Sequence, residues 1–199
     1  MHALNSVKVY CEVWEDVMAF GALLRDAGPN IIEVNFNPSG PIMDISWDPV
    51  TNEMDRLPTD AWNVLNFASC TSLQTLVFAF DLDHYPENIP LIEMEWNSFI
   101  DILSPISQTL RRLTFRIDVW EAAFEYMNDW QIINWDRMHR ALDRFKELST
   151  VTFELCLVGW DRDQEDGFRE CCEMIEAMTP ELRERSLLRF VQREDRHFH

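Results

Sequence analysis

Residues 73–80 read Leu-Gln-Thr-Leu-Val-Phe-Ala-Phe, and this pattern decides how the chain folds. Two further strong copies begin at Leu110 and Leu148, so that successive copies start 37 and then 38 residues apart. Weaker copies begin at Leu4 and Ile31. A pattern that returns at a period of this size is typical of solenoids, in which each repeat is one supersecondary unit stacked on the next.

Each unit is predicted to be a helix followed by a strand. The strong copies alternate apolar and polar residues with a period of two, as half-buried strands do. Each later copy is preceded by a run that contains a tryptophan and has apolar residues three and four places apart, which is the spacing of one face of a helix. These tryptophans are Trp14, Trp62, Trp96 and Trp135. Strands separated by helices cannot pair as hairpins, so the economical arrangement is a parallel sheet joined by right-handed crossovers. The sequence therefore predicts an α/β solenoid, an arc of about five helix-strand units with the parallel sheet on its concave face.

The 199 residues are predicted to form a single repeat domain, since no linker divides them and 47% are apolar. Because Leu4 already belongs to a strand copy, we expect the chain to begin inside the array, without an N-terminal cap. The proline-rich stretch 38–60 is predicted to be an insertion loop, with a short edge strand at 43–47. A helix is predicted at about Gly167 to Met178, and residues 186–191 are predicted to be a final strand or a capping segment.

The formal charge of −18, from 35 acidic and 17 basic residues, argues against nucleic acid as a partner. A duplex is bound by clustered Lys and Arg that neutralise phosphates, and this chain has two lysines. The acidic residues are densest in the connections after the strands, which predicts an acidic loop rim: Asp81, Asp83, Glu87, Glu93, Asp118, Glu121, Asp161, Asp163, Glu165 and Asp166. The rim is either a solvated edge that maintains solubility or a surface that steers a basic protein partner.

Neither membrane insertion nor secretion is predicted, because the sequence has no stretch of about 18 apolar residues and no leader-like N-terminus. The five cysteines are an odd number without CxxC spacing, and they are predicted to be reduced, mostly buried thiols. We therefore expect an intracellular protein, in the cytoplasm or the nucleus.

Catalysis and metal binding are not predicted. The acidic run from Asp161 to Gly167 lacks the glycine and glutamate positions of a calcium loop. His139 is predicted to be an exposed helix residue, and the phosphate-loop, nucleophile-elbow and zinc-protease motifs do not occur. We expect no enzyme activity, no cofactor and no catalytic or metal-binding residue, although an acid-dependent hydrolase stays an unfavoured alternative because carboxylates are plentiful.

The strand positions between the core residues should form one continuous outward face. The partner-binding residues predicted on it are Tyr10, Asn35, Asn37, Val77, Asp81, Arg112, Arg116, Asp118 and Glu154. Two interpretations of the arginines stay open. Arg112 and Arg116 either pair laterally with Glu154, which stabilises the sheet, or offer bidentate hydrogen bonds to an acidic or backbone partner.

The order of tryptophan, helix and Leu-x-x-Leu-x-Phe resembles leucine-rich repeats, and most closely the long-period repeats of F-box-type proteins of mushroom-forming fungi. Residues 67–76 and 107–115 carry the resemblance, which covers nearly the whole chain. It implies a leucine-rich-repeat-like arc that recruits a protein partner. In that family a separate F-box segment docks onto a ubiquitin-ligase adaptor, and the chain contains no recognisable F-box. The position where the family has Asn or Cys is occupied by Glu12, Asp81, Asp118 and Cys156, of which only the last matches.

The function predicted from the sequence is a non-catalytic protein-binding module that uses the concave sheet and the acidic loop rim. The alternative is the substrate-recognition fragment of an F-box ubiquitin-ligase subunit, which would bind the ligase adaptor only if an F-box exists outside this chain.

Overall fold

The computed structural model describes residues 4–38, 61–82, 89–120, 134–159 and 164–194. Most of the predicted insertion loop, its edge strand and the last five residues lie outside the described part. Six strands lie in these ranges: β1 (Ser6–Tyr10), β2 (Glu33–Asn37), β3 (Thr75–Leu82), β4 (Arg112–Trp120), β5 (Thr150–Val158) and β6 (Leu188–Arg193). They form one sheet in the order β1-β2-β3-β4-β5-β6, and every neighbouring pair is parallel. The predicted α/β class with a parallel sheet is confirmed.

Five α-helices lie in the described ranges: α1 (Trp14–Ala27), α2 (Ile89–Leu103), α3 (Trp135–Asp143), α4 (Gln164–Met178) and α5 (Pro180–Glu184). None of these helices combines the length and the apolar character needed to cross a lipid bilayer.

Strand β6 is one strand more than the five copies recognised in the sequence, and it resolves the choice left open for residues 186–191 in favour of a final strand. Helix α4 begins three residues before the predicted start at Gly167.

The sequence copies lie in register across the sheet. Leu76 of β3 pairs with Leu113 of β4, which pairs with Val151 of β5, and all three are fully buried. Two residues further along, a row of phenylalanines runs through five strands, with Phe115 and Phe153 stacked at a centroid distance of 5.2 Å. The row consists of Phe36, Phe78, Phe115, Phe153 and Phe190. A one-residue slip would turn each of these side chains to the other face of the sheet, so the apolar rows specify the register.

A repeated hydrogen-bond motif marks the start of the strands. The carbonyl of Gln74 accepts from both Arg111 N and Arg112 N, each at 2.9 Å. Equivalent pairs of N–H groups from the next unit meet the carbonyls of Asn5, Ile32 and Arg111. Four successive junctions therefore have the same local backbone geometry, although the connections between them differ in length.

The helices supply the second half of the core. Phe20 of α1 stacks on Phe36 at 5.4 Å, and Phe99 of α2 lies 4.6 Å from Phe78. These described helices therefore pack on the phenylalanine side of the sheet. Burial of such large aromatic side chains is the main favourable contribution to the stability of the fold.

Arginines from later units tie neighbouring helices together. Arg137 of α3 donates to Asn97 Oδ1 at 2.9 Å and forms an ion pair with Asp101 of α2. Arg144, just after α3, donates to carbonyls at the C-terminal end of α2, including that of Ile106 at 3.2 Å. A cation that satisfies the last carbonyls of a helix also interacts favourably with the helix dipole.

The tryptophan-led segments do not all form the predicted helices. Trp14 and Trp135 begin α1 and α3 as expected, but Trp96 lies in the middle of α2. The Trp62 segment forms two short 3₁₀ helices, Ala61–Leu65 and Phe67–Ser69. The prediction of a regular amphipathic helix there was wrong.

The interruption at Asn66 has a local physical cause. Asn66 adopts φ +53°, a left-handed conformation that ends a helix. Its side-chain Nδ2 donates hydrogen bonds to the backbone carbonyls of Val64 at 2.7 Å and Gly21 at 3.1 Å. Gly21 allows α1 to approach this turn, because a Cβ atom there would lie 1.9 Å from the Val64 oxygen. The turn is therefore specified by contact with α1 as well as by its own sequence.

The phenylalanine row gives a direct test of this packing. Phe115→Ala should lower the free energy of unfolding by about 3–5 kcal/mol, because it opens a cavity between two stacked neighbours. Chemical denaturation followed by circular dichroism measures this loss. Phe190→Ala is the matched control and should cost less, since Phe190 is half-buried on an end strand of the described sheet. Equal losses for the two variants would contradict a core centred on Phe115.

Candidate functional site

The side of the sheet opposite the phenylalanine row carries the candidate site, and we call it the outer sheet face. Its positions alternate with the core positions along each strand. They are Ser6, Lys8 and Tyr10 in β1; Glu33, Asn35 and Asn37 in β2; Thr75, Val77, Ala79 and Asp81 in β3; Arg112, Thr114, Arg116, Asp118 and Trp120 in β4; Thr150, Thr152, Glu154, Cys156 and Val158 in β5; and Arg189, Val191 and Arg193 in β6.

All nine residues predicted to bind a partner occupy positions on this face. Tyr10 pairs in register with Asn37, Asn35 with Val77, and Asp81 with Asp118. Tyr10 is the most exposed of the large apolar side chains at 58%, whereas Val77 is only 8% exposed. The sheet therefore assembles the predicted set on one surface.

Arg116 forms a lateral ion pair with Glu154 on the neighbouring strand. The distance from Arg116 Nε to Glu154 Oε2 is 2.8 Å, and the two side chains are 27% and 25% exposed. This is the sheet-stabilising interpretation that the sequence left open, and the structure shows it for this arginine. A directly opposite pair of unlike charges on one face supports the register of its two strands.

Arg112 does not reach Glu154, and its contact is with a hydroxyl group. Its Nε and Nη2 both donate to Thr75 Oγ1, at 3.1 and 2.9 Å. Because a guanidinium has five N–H donors in a fixed plane, this contact orients the group and leaves donors available. Of the two interpretations left open by the sequence, lateral pairing with Glu154 does not apply to Arg112. Arg112 lies four residues before Arg116 and is in register with Thr150 on the neighbouring strand.

A second ion pair crosses the sheet near the ends of the strands. Arg193 Nη1 of β6 lies 3.2 Å from Asp118 Oδ1 of β4, although β5 runs between these strands. Cys156 of β5 is in register with both residues and is only 3% exposed. The long Arg193 side chain therefore extends over the thiol to reach Asp118, which explains how a residue on the outer sheet face becomes buried.

Sequence reasoning missed the contribution of β6 to this face. Arg189, Val191 and Arg193 were not assigned to it, because residues 186–191 could equally have formed a cap. The sequence did contain a signal for strand β6. Leu188 follows Val151 by 37 residues, the same step that separates earlier copies, although the Leu-x-x-Leu-x-Phe pattern itself is incomplete there.

Three of the five thiols have pKa values raised by their surroundings. All five cysteines are free, and four are buried. Burial raises the pKa of Cys11 to about 11 and that of Cys70 to about 11, and burial with nearby glutamates raises the pKa of Cys172 to about 12. A thiol with so high a pKa is almost entirely protonated at neutral pH and is a poor nucleophile and metal ligand.

Metal-binding clusters of three or more His, Cys, Asp or Glu side chains are not found within the described ranges. Half of the ten residues of the acidic loop rim lie outside those ranges. Of its members, Asp166 is in the first turn of α4 and forms an ion pair with Arg169 at 2.6 Å. That pair is exposed and belongs to the helix surface, so it supplies no ligand set.

A groove on the helix side is the second candidate. It has a volume of about 430 Å³ and lies between α3 and the α4–α5 turn. Its lining residues are Asn134, Trp135, Asp136, His139, Ala177, Met178, Pro180 and Glu181. His139 is not the exposed helix residue that the sequence predicted: its side chain is 14% exposed, and its Nδ1 lies 3.1 Å from Glu181 Oε2. The lining contains no Ser, Thr, Cys or Lys that could act as a nucleophile.

Comparisons with protein-family models, with curated proteins and with solved structures find no match to this chain. The resemblance to the repeats of fungal F-box proteins therefore stays a prediction from the residues that carry it.

The ion pair between Arg116 and Glu154 can be tested by charge exchange. Arg116→Glu should lower the free energy of unfolding by about 1 kcal/mol, because it places two carboxylates opposite each other on adjacent strands. The double variant with Arg116→Glu and Glu154→Arg should recover most of that loss, and thermal denaturation of both variants measures the coupling. If the double variant is less stable than Arg116→Glu alone, the pair does not support the register.

Proposed function

We propose that this chain is a non-catalytic protein-binding module that docks a partner on the outer sheet face. In this proposal its units form a leucine-rich-repeat-like solenoid, with the outer sheet face on the concave side of the arc. The equal backbone junctions at Asn5, Ile32, Gln74 and Arg111 support the stacking of equivalent units. An extended, rigid sheet lets a partner bind without ordering a flexible receptor surface.

The observation that carries the proposal is the register that places all nine predicted residues on one face. This face mixes an exposed aromatic side chain, amides, hydroxyls and charged groups, as protein-binding surfaces do. Two of its carboxylates, Asp118 and Glu154, are each held by an arginine within 3.2 Å. Such carboxylates are suited to positioning neighbouring arginines, and this favours binding over acid–base chemistry.

The two alternative functions are supported by fewer observations than the protein-binding module. A substrate-recognition fragment of an F-box ubiquitin ligase depends on the sequence resemblance alone, and purification of the ligase adaptor with the natural full-length protein would favour it. An acid-dependent hydrolase would need two carboxylates that face a substrate in a pocket. The His139 groove is lined by two carboxylates, Asp136 and Glu181, and that of Glu181 is engaged by an imidazole at 3.1 Å. The basic partner predicted for the acidic loop rim stays a prediction, since half of the rim residues lie outside the described part of the chain.

The docking face can be mapped with two matched double variants. Tyr10→Ala with Asn35→Ala removes side chains from the outer sheet face. Met18→Ala with Leu23→Ala removes two exposed side chains, 44% and 39% accessible, from helix α1. A partner that copurifies from the cells producing this protein should bind the sheet variant at least about tenfold more weakly, since exposed tyrosines at interfaces are frequent hot spots. Its binding to the helix variant should be unchanged.

Quantitative pull-down followed by titration of the purified partner measures both affinities, and circular dichroism checks that both variants are folded. Weaker binding of the helix variant with unchanged binding of the sheet variant would show that the partner binds the helix layer, and this would overturn the proposal.

A further inference from the structure

The charge on the outer sheet face is distributed differently from the charge of the chain as a whole. The protein has a formal net charge of −18, yet the positions on this face include five basic residues and four acidic ones. The basic residues are Lys8, Arg112, Arg116, Arg189 and Arg193, and the acidic residues are Glu33, Asp81, Asp118 and Glu154. A strongly acidic chain therefore collects basic side chains on one surface.

Pairing separates these charges into two groups. Arg116 and Arg193 are neutralised by Glu154 and Asp118, toward the C-terminal ends of the strands. Among the described residues, Arg112 forms hydrogen bonds to the hydroxyl of Thr75 and no ion pair, and Arg189 forms no ion pair either. Both uncompensated arginines are exposed. They lie toward the N-terminal ends of β4 and β6.

The residues between the two arginines are hydroxyl-bearing. Arg112 is in register with Thr150, and Arg189 is in register with Thr152, which also pairs with Thr114. We call Arg112, Thr114, Thr150, Thr152 and Arg189 the arginine-threonine patch. Hydroxyl groups can donate hydrogen bonds to carboxylates without adding charge, and guanidinium groups bind carboxylates through two parallel bonds. No strand position inside this patch is acidic.

Glu33 lies two strands from Arg112 in the same row, in register with Thr75, and forms no ion pair with Arg112. The other described carboxylates near the patch are engaged elsewhere or lie farther along the strands. Glu154 lies two residues beyond Thr152 and is held by Arg116 at 2.8 Å. Glu147, which precedes β5, is held by Arg111 at 2.9 Å. Asp81 pairs in register with Asp118, six residues along β4 from Arg112. Arg112 and Arg189 therefore have no ion-pair partner among the described residues.

We propose that the arginine-threonine patch binds an acidic peptide segment of the partner, through carboxylates that meet Arg112 and Arg189. This inference rests on the proposed protein-binding function and specifies the chemistry of the bound segment. The two arginines are two strands and two residues apart, so their Cα atoms are separated by about 12 Å. An extended peptide places residues i and i+4 on the same side about 13 Å apart, so Asp or Glu at that spacing fits the patch.

Thr75 makes the site partly preorganised. It is 8% exposed and accepts two hydrogen bonds from Arg112, so the guanidinium plane is oriented before a ligand arrives. A side chain that is already ordered loses less conformational entropy on binding. Thr75 is a positioning residue in this proposal, and it does not contact the peptide.

The test uses three fluorescein-labelled peptides that differ in two positions four residues apart. The first has Glu at both positions in a Gly/Ser/Thr background, the second has Gln, and the third has Lys. Fluorescence anisotropy with the full chain should show binding of the Glu peptide, weakened by added salt, and at least about tenfold weaker binding of the Gln and Lys peptides.

The double variant with Arg112→Gln and Arg189→Gln should also weaken binding of the Glu peptide by about tenfold or more, because each arginine supplies charge-assisted hydrogen bonds. Arg140→Gln is the matched control, since Arg140 is an exposed arginine on helix α3, and it should leave the affinity unchanged. Thr75→Val should give an intermediate loss without removing any charge. Circular dichroism melts confirm that each variant is folded.

Failure to bind the Glu peptide, equal binding of the Gln peptide, preference for the Lys peptide or an unchanged affinity in the double arginine variant would each overturn the inference. These results are separable from the proposed function. If the Tyr10 and Asn35 variant still loses a natural partner while the peptides fail, the sheet binds a protein by other chemistry.

Discussion

The whole structure depends on one constraint, the common register of buried apolar side chains across neighbouring parallel strands. Leu76, Leu113 and Val151 form one row, and the phenylalanines that include Phe115 and Phe153 form the next. A parallel pair has no hairpin to set its register, so the burial pattern has to do so. Once these rows are aligned, the alternating residues between them lie on the opposite side of the sheet, and this determines which residues form the outer sheet face.

The composition of the outer sheet face follows from the same alternation. Its side chains lack a hydrophobic layer of described helices over them, so they are stabilised by lateral contacts such as Arg116 with Glu154 and Arg112 with Thr75. Asp118 and Arg193 bridge two strands and cover Cys156 between them. These contacts leave a cationic region around Arg112 and Arg189 on an otherwise acidic molecule, and charge distributed in this way favours selectivity for a partner more than it favours stability.

Much of the sheet could be predicted from the sequence because its determinants are local. The alternation in residues 73–80 specifies both the strand and its buried face, and the recurrence near 37 residues specifies the parallel order. The helical layer was less predictable. The Trp62 segment became 3₁₀ because Asn66 and Gly21 meet across α1, and such a contact between distant residues leaves no periodic signal. The partner of Arg112 was missed for a similar reason, since the choice between Glu154 and Thr75 depends on the relative position of three strands.

The most direct test of the central claim is a nuclear Overhauser experiment on protein with labelled leucine and valine methyl groups. Adjacent strands in a sheet are about 4.8 Å apart, so residues in register bring their side chains into range. The shared register predicts cross-peaks between Leu76 and Leu113 and between Leu113 and Val151. Absence of both cross-peaks, with the same methyl groups contacting residues shifted along the neighbouring strand, would contradict the shared register and the outer sheet face that depends on it.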